Sequence, residues 1–156
     1  MKLKEQGKIQ RIIAIILFTS WLILIFTFSN QPGDISLESS NGLIDLIDNF
    51  FKFLNLNLDI KELSFISFFV RKCAHMFLYF ILYFLGFYVM YQFRISKRFL
   101  YTFIFCVFYA LSDEIHQLFI PNRSFQVTDV LIDSFGSFLA FLILYIKKNM
   151  RRPCKF

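Results

Sequence analysis

Cysteine is scarce in this chain: Cys73, Cys106 and Cys154 are the only three. They are too scattered for a disulfide framework, and none has the close paired spacing of a zinc site. Alternation of polar and apolar residues by two is not visible, which argues against strands, since an open sheet edge does not survive in lipid. No small-x-small cleavage site follows the first apolar run. Ser29-Asn30-Gln31-Pro32 comes next instead, so Met1–Phe28 reads as an uncleaved first span rather than a signal peptide. Internal repeats and low-complexity tracts are missing too, beyond a bias to Phe, Ile, Leu, Asn and Lys. Histidine is represented twice, by His75 and His116.

What the chain has in excess is apolar and aromatic surface. Hydrophobic residues make up 57% of its 156 positions, and Phe alone contributes 24. An average soluble domain is about 45–50% apolar, and a water-soluble domain of this size cannot hide so much more. The composition points to an all-α membrane protein, a single domain with no room for a second. Four runs reach the roughly 20 residues needed to cross hydrocarbon, with spans expected at about 12–28, 71–91, 99–120 and 129–146. Between the first two, Ile44, Ile47, Phe51 and Leu54 recur at helical spacing. Asp45, Asp48, Asn49, Lys52 and Asn55 fill the other faces. That pattern predicts an amphipathic outer helix, lying on the membrane surface or closing over a pocket.

The formal net charge of +6 does not imply nucleic-acid binding, because the charge is sorted by segment. Lys2, Lys4, Lys8 and Arg11 precede span one. Arg94, Lys97 and Arg98 link spans two and three. Lys147, Lys148, Arg151, Arg152 and Lys155 follow span four, and Glu5 is the one acid among all of these. The remaining acids share the other side with Lys52, Lys61, Arg71, Lys72 and Arg123. The positive-inside rule then puts both termini in the cytoplasm and turns the Asn30–Val70 loop and the Pro121–Thr128 turn outward.

That topology brings the unusual residues to one depth, near the outer face. Span one exits at Ser29 and Gln31. Span two enters through Arg71, Lys72, His75 and Tyr79, the last three sharing a helix face. Span three arrives through Asp113-Glu114-Ile115-His116-Gln117, and span four leaves through Asp129, Asp133 and Gly136, with Arg123 in the turn between them. Ionisable groups in hydrocarbon are expensive and must be paired, hydrogen-bonded or neutralised, so the cluster predicts a polar pocket. Four carboxylates face three cations and two histidines. The surplus acid would suit a divalent metal ion or a protonated histidine, although the chain carries no dedicated metal-binding motif. In a catalytic reading, His116 is general base or metal ligand, Asp113 orients it, and Glu114 and His75 complete the set. Arg71, Lys72 and Arg123 would hold a phosphate or carboxylate. The substrate-contacting set then comprises Ser29, Gln31, Arg71, Lys72, Tyr79, Gln117, Arg123, Asp129 and Asp133. The bland alternatives are interhelical polar glue for Asp113–Gln117, an interface marker for Arg71-Lys72, a macrodipole charge for Asp129 and close helix approach at Gly136.

The run Phe28-Ser29-Asn30-Gln31-Pro32-Gly33, the segment Arg71-Lys72-Cys73-Ala74-His75 with Tyr79, the stretch Asp113-Glu114-Ile115-His116-Gln117 through Pro121-Asn122-Arg123, and Asp129 with Asp133 and Gly136 together resemble the VanZ-like family of bacterial membrane proteins. The likeness covers nearly the whole chain. It departs from the usual pattern at Leu78, where an acid is often found, at Asn122 in place of Gly, and at Ala140 in place of a second Gly. The resemblance implies a small multispan protein of the bacterial plasma membrane, with the bilayer as its partner; the clustered acids and histidines open the further expectation of a lipid-linked or cell-wall precursor as a partner. Its namesake raises resistance to teicoplanin more than to vancomycin. Two functions stay open at this level: an enzyme acting on such a precursor, or a non-catalytic protein that binds an anionic headgroup, a drug or an envelope partner.

Overall fold

A backbone amide or carbonyl left without a partner in hydrocarbon is costly, so a chain of these apolar runs satisfies its backbone within helices. The computed structural model describes residues 2–32 and 64–150, together with Gly42, Asp45 and Asn49 between them. Among the described residues there is no strand. Four helices carry the fold: α1, Lys2–Ser29; α2, Ser64–Gln92; α3, Arg98–Gln117; and α4, Val127–Met150. Each contains a stretch long and apolar enough to cross a membrane, namely Gln6–Ser29, Phe69–Gln92, Arg98–Gln117 and Val127–Met150. The apolar positions of the expected outer amphipathic helix, Ile44, Ile47, Phe51 and Leu54, lie outside the described residues.

Two boundaries differ from the hydropathy reading. α3 stops at Gln117, and the apolar Leu118-Phe119-Ile120 that hydropathy assigns to the span forms a turn instead. The residue before Pro121 is biased away from helical geometry, which ends the helix early. α2 begins at Ser64, so Arg71 and Lys72 sit two turns inside a helix rather than at its first residues.

The helices alternate in direction. α2 is the centre of the bundle. It packs most extensively on α4, then on α1, and less on α3. α3 also packs on α4, while α1 touches α3 only lightly. Ile25, Tyr79, Leu82, Tyr83, Cys106, Ala110 and Ala140 form the buried cluster between them. Small residues line the α2–α4 seam, where Gly136, Ser137 and Ala140 are all buried, as expected when backbones approach closely in lipid. At Gly136 the approach is so close that a Cβ would sit 2.9 Å from the carbonyl carbon of Met76. Polar handles tie the helices to one another through spare backbone carbonyls. Trp21 Nε1 donates to Leu78 O at 2.9 Å, Tyr109 OH to Leu22 O at 2.8 Å, and Ser137 Oγ to Tyr79 O at 3.3 Å. Large apolar side chains such as Ile23, Phe108 and Leu131 point outward and are more than half exposed. On a soluble monomer a surface of this kind would be a liability; on this bundle it is compatible with contact to lipid.

Antiparallel packing gives the bundle two ends of different character. One collects the end of α1, the start of α2, the end of α3 and the start of α4. The other collects Arg11 of α1, the end of α2, the start of α3 and Lys147-Lys148 of α4.

Candidate functional site

The first end is built by residues closing off helix termini. The last carbonyls of a helix have no partner within it, and α1 obtains one from a distant arginine. Arg123 donates Nε to Gln31 O at 3.0 Å and Nη2 to Phe28 O at 3.4 Å. Beside it, Gln117 Nε2 donates to Ser29 Oγ at 3.0 Å in a buried contact. Asp113 completes this group, hydrogen-bonded by Ser29 and Gln117. On the outer side of the same junction, His116 stacks on Phe26 with ring centres 4.9 Å apart. Its Nε2 lies 3.3 Å from Asn30 Oδ1.

α3 closes by tightening. Leu118, Phe119 and Ile120 each bond back three residues, to Ile115, His116 and Gln117, the usual way a last turn contracts. Ile120-Pro121-Asn122-Arg123 then forms a type II turn. The Arg123 amide reaches Ile120 O at 3.3 Å, and Asn122 takes φ 58°. Position three of such a turn needs a positive φ, which Gly or Asn supplies and Pro at position two favours. Asn122 therefore fits where the related pattern has Gly.

α4 opens against a brace from two other helices. Glu114 Oε2 accepts the Gln126 backbone amide at 2.9 Å. Lys72 pairs with Asp129 and donates to Gln126 Oε1 at 3.3 Å. Asp129 lies in the first turn of α4, where the helix dipole favours a negative charge. The Lys72–Asp129 pair is nearly buried, with side chains 8% and 12% exposed.

These ties enclose a cleft of about 60 Å³, room for a few water molecules or one small oxyanion. Its lining includes Arg71, His75, Gln117, Arg123, Gln126 and Asp129, with Asn122 and Ser124 from the turn. Asp129 is paired with Lys72, and Arg71 and Arg123 bring two guanidinium groups to the lining, with the carboxylates of Asp113 and Glu114 near enough to act on Arg123. Burial, and next the positive charge of Arg71, lower the Arg123 pKa from its ordinary value. An anion between the two arginines would oppose both effects.

The residues expected at one depth are therefore divided among three places. Arg71, His75, Gln117, Arg123 and Asp129 line the cleft. Lys72 and Glu114 brace its wall through Asp129 and Gln126. His116, Ser29 and Asp113 belong to the α1–α3 junction, and Gln31 contributes its carbonyl there. Tyr79 and Asp133 lie deeper and are essentially inaccessible. Tyr79 OH, Asp113 Oδ2 and Asp133 Oδ1 are all buried without a hydrogen-bond partner. The two histidines are thus separated: His75 faces the cleft, and His116 packs against α1. Gln126, Ser124 and Asn122 were not among the site residues expected from sequence. Their signal was the polar run after Pro121, which reads as a connector until the fold bends it over the cleft. Among the described residues, no three His, Cys, Asp or Glu side chains are grouped to hold a metal ion.

No curated protein and no solved structure gives a match. The family model described as VanZ/LLP1 matches residues 14–148, from the middle of α1 to the last turn of α4. With most of its length so matched, the chain belongs to the VanZ-like family of membrane proteins.

Proposed function

We propose that this chain is a multi-pass protein of the bacterial plasma membrane that binds an anionic group of an envelope lipid or wall precursor, and so alters the response to glycopeptides such as teicoplanin. The observation that carries the reading is the cleft itself. Arg71, His75 and Arg123 line one small polar space, while the neighbouring Asp129 is already paired with Lys72. Two guanidinium groups suit a phosphate or carboxylate, which they can bind through paired N–H donors. The positive-inside rule supports an outward-facing cleft, because Lys8, Arg11, Arg94, Lys97, Arg98, Lys147 and Lys148 belong to the opposite end. Both termini are then cytoplasmic, and the connection between α1 and α2 is on the outer side of the membrane.

A catalytic version uses the same cleft, and His75 is the imidazole lining it. There it would act as general base on the bound group, with Arg71 and Arg123 holding the negative charge. His116, the base suggested by sequence spacing, stands at the α1 junction and would position that helix. The two versions differ in product. A sensitive Gram-positive host carrying the native chain should tolerate more teicoplanin than one carrying an empty vector. Arg71→Gln and His75→Ala, at matched membrane levels, should remove that protection. Equal susceptibility of all four strains overturns the reading. Mass spectrometry of the envelope lipids separates the versions, since only the catalytic one yields a modified species.

A further inference from the structure

The opposite end of the bundle carries a second, larger cavity that the cleft does not involve. It measures about 450 Å³ and is lined by Gln10 and Arg11 of α1, Tyr91 at the end of α2, Arg94 and Ser96 of the following turn, and Arg98 at the start of α3. Three guanidinium groups from three elements converge, and no carboxylate is among the described lining residues. Two of these arginines lie on aromatic faces. Arg11 is 5.6 Å from the Phe93 ring centre, and Arg98 is 5.0 Å from Tyr91 and 5.6 Å from Phe87. Stacking on a ring engages the guanidinium face and leaves its N–H edge available. Arg98 Nε is in fact buried without a hydrogen-bond partner. A neighbouring cavity shares Tyr91 and Arg98 and adds Lys147 and Lys148.

The backbone supplies an independent observation. α2 ends in a Schellman motif, with the Arg94 amide on Tyr91 O at 3.0 Å and the Ile95 amide on Met90 O at 3.1 Å. The residue at the centre of that motif must adopt a left-handed conformation, and Gly is strongly preferred there. Here it is Arg94, at φ 57°. A residue kept in a conformation that disfavours it points to a use for its side chain, and the Arg94 side chain lines the cavity.

We infer that this cavity binds the phosphate of an anionic ligand, carried by a membrane lipid or free in the aqueous phase. Arg11, Arg94 and Arg98 supply the donors, and Gln10 and Ser96 add neutral polar groups. The half-exposed rings of Tyr91 and Phe93 hold this end at headgroup level, where such aromatics collect.

Arg94→Gly tests the inference, because it removes one guanidinium while improving the backbone. Purified full-length protein is placed in nanodiscs of phosphatidylcholine alone or of phosphatidylcholine with phosphatidylglycerol. Melting temperature is read with and without inorganic phosphate, and lipid retention is read by native mass spectrometry. The native chain should be stabilised by phosphatidylglycerol if the phosphate belongs to a lipid, or by inorganic phosphate in plain phosphatidylcholine if it is free. Arg94→Gly should melt no lower than the native chain in plain phosphatidylcholine. It should also bind the stabilising anion about ten-fold more weakly, the loss expected for one charged hydrogen bond. The inference is overturned if neither anion stabilises the native chain, or if Arg94→Gly and Arg11→Gln retain the anion as the native chain does.

Discussion

Gly136→Ala should damage this bundle more than any other glycine-to-alanine change among its described helices, and the size of the effect follows from the helix crossing. An added Cβ would lie 2.9 Å from Met76 C and 3.0 Å from Met76 Cγ, with Met76 O closer still. Ordinary contact starts at 3.4 Å, so with Met76 O the nearest atom α2 and α4 must separate by more than roughly an ångström at their tightest point. Backbone cannot swing aside as a side chain can. Overpacking of this kind costs about 1–3 kcal/mol, and alanine returns up to about 1 kcal/mol of helix propensity. A net loss of about 2 kcal/mol corresponds to a fall in melting temperature on the order of 5 °C. Gly86 provides the control. A Cβ there meets the side chains of Thr102 and Phe18 at 3.1 and 3.2 Å, which can yield, so Gly86→Ala should be near neutral. Nothing lies within 4 Å of a Cβ at Gly7, and Gly7→Ala should melt slightly higher than the native chain. Thermal unfolding of the three variants in one detergent checks the order. If Gly136→Ala melts within a degree of Gly86→Ala, the close α2–α4 approach is wrong.

Two further perturbations probe the cleft wall and its turn. Lys72→Met leaves Asp129 without its cation in a nearly buried setting and should cost about 3 kcal/mol. Lys72→Met combined with Asp129→Leu should recover most of that loss. A thermal-melt double-mutant cycle reads the coupling, and additive losses would remove the pair from the account. At Asn122, φ 58° makes Gly acceptable and a β-branched residue costly. Asn122→Gly should leave the melting temperature unchanged or raised, and Asn122→Val should destabilise by about 1–2 kcal/mol. Equal melting of the two variants argues against the type II turn.

Hydropathy located all four described helices that are long and apolar enough to cross a membrane, because in such a chain the apolar run and the helix are nearly the same object. Where they diverge, local geometry decides. Leu118-Phe119-Ile120 is as apolar as the helix before it, yet Phe119 is 79% exposed and Pro121 ends the regular backbone. Helical spacing was a good guide on α2, where Lys72 and Tyr79 are both buried and His75 turns to the cleft. It was a poorer guide on α3. Asp113, His116 and Gln117 share a face by spacing, but that face is broad enough to meet two neighbours. Gln117 reaches both Ser29 and the cleft, while His116 turns toward Phe26 and Asn30. Counting acids against cations also misled. It treated Asp113, Glu114, Asp129 and Asp133 as one reservoir, whereas Glu114 accepts a backbone amide, Asp129 pairs with Lys72, and Asp113 and Asp133 lie away from the cleft lining. Which residues share a wall is set by helix rotation and by turn geometry, and neither is written in residue spacing.

Two residues belong to both the cleft and the seating of α1. Arg123 lines the cleft and holds the carbonyls of Phe28 and Gln31, and Gln117 lines it and holds Ser29. α1 packs mainly on α2 and has little contact with α3 and less with α4, so these end-ties, with Tyr109 to Leu22, are its main links to α3 and the turn after it. A guanidinium has five N–H donors in a fixed fork, so Arg123 can keep its two carbonyls and still offer donors to an anion. A ligand that binds in that way tightens α1 against the bundle. One that draws Arg123 away from Phe28 must supply the energy of the broken ties. On the proposed reading, binding at this cleft is coupled to the position of α1 and to residues 30–32 that follow it, with Arg123 as the shared element.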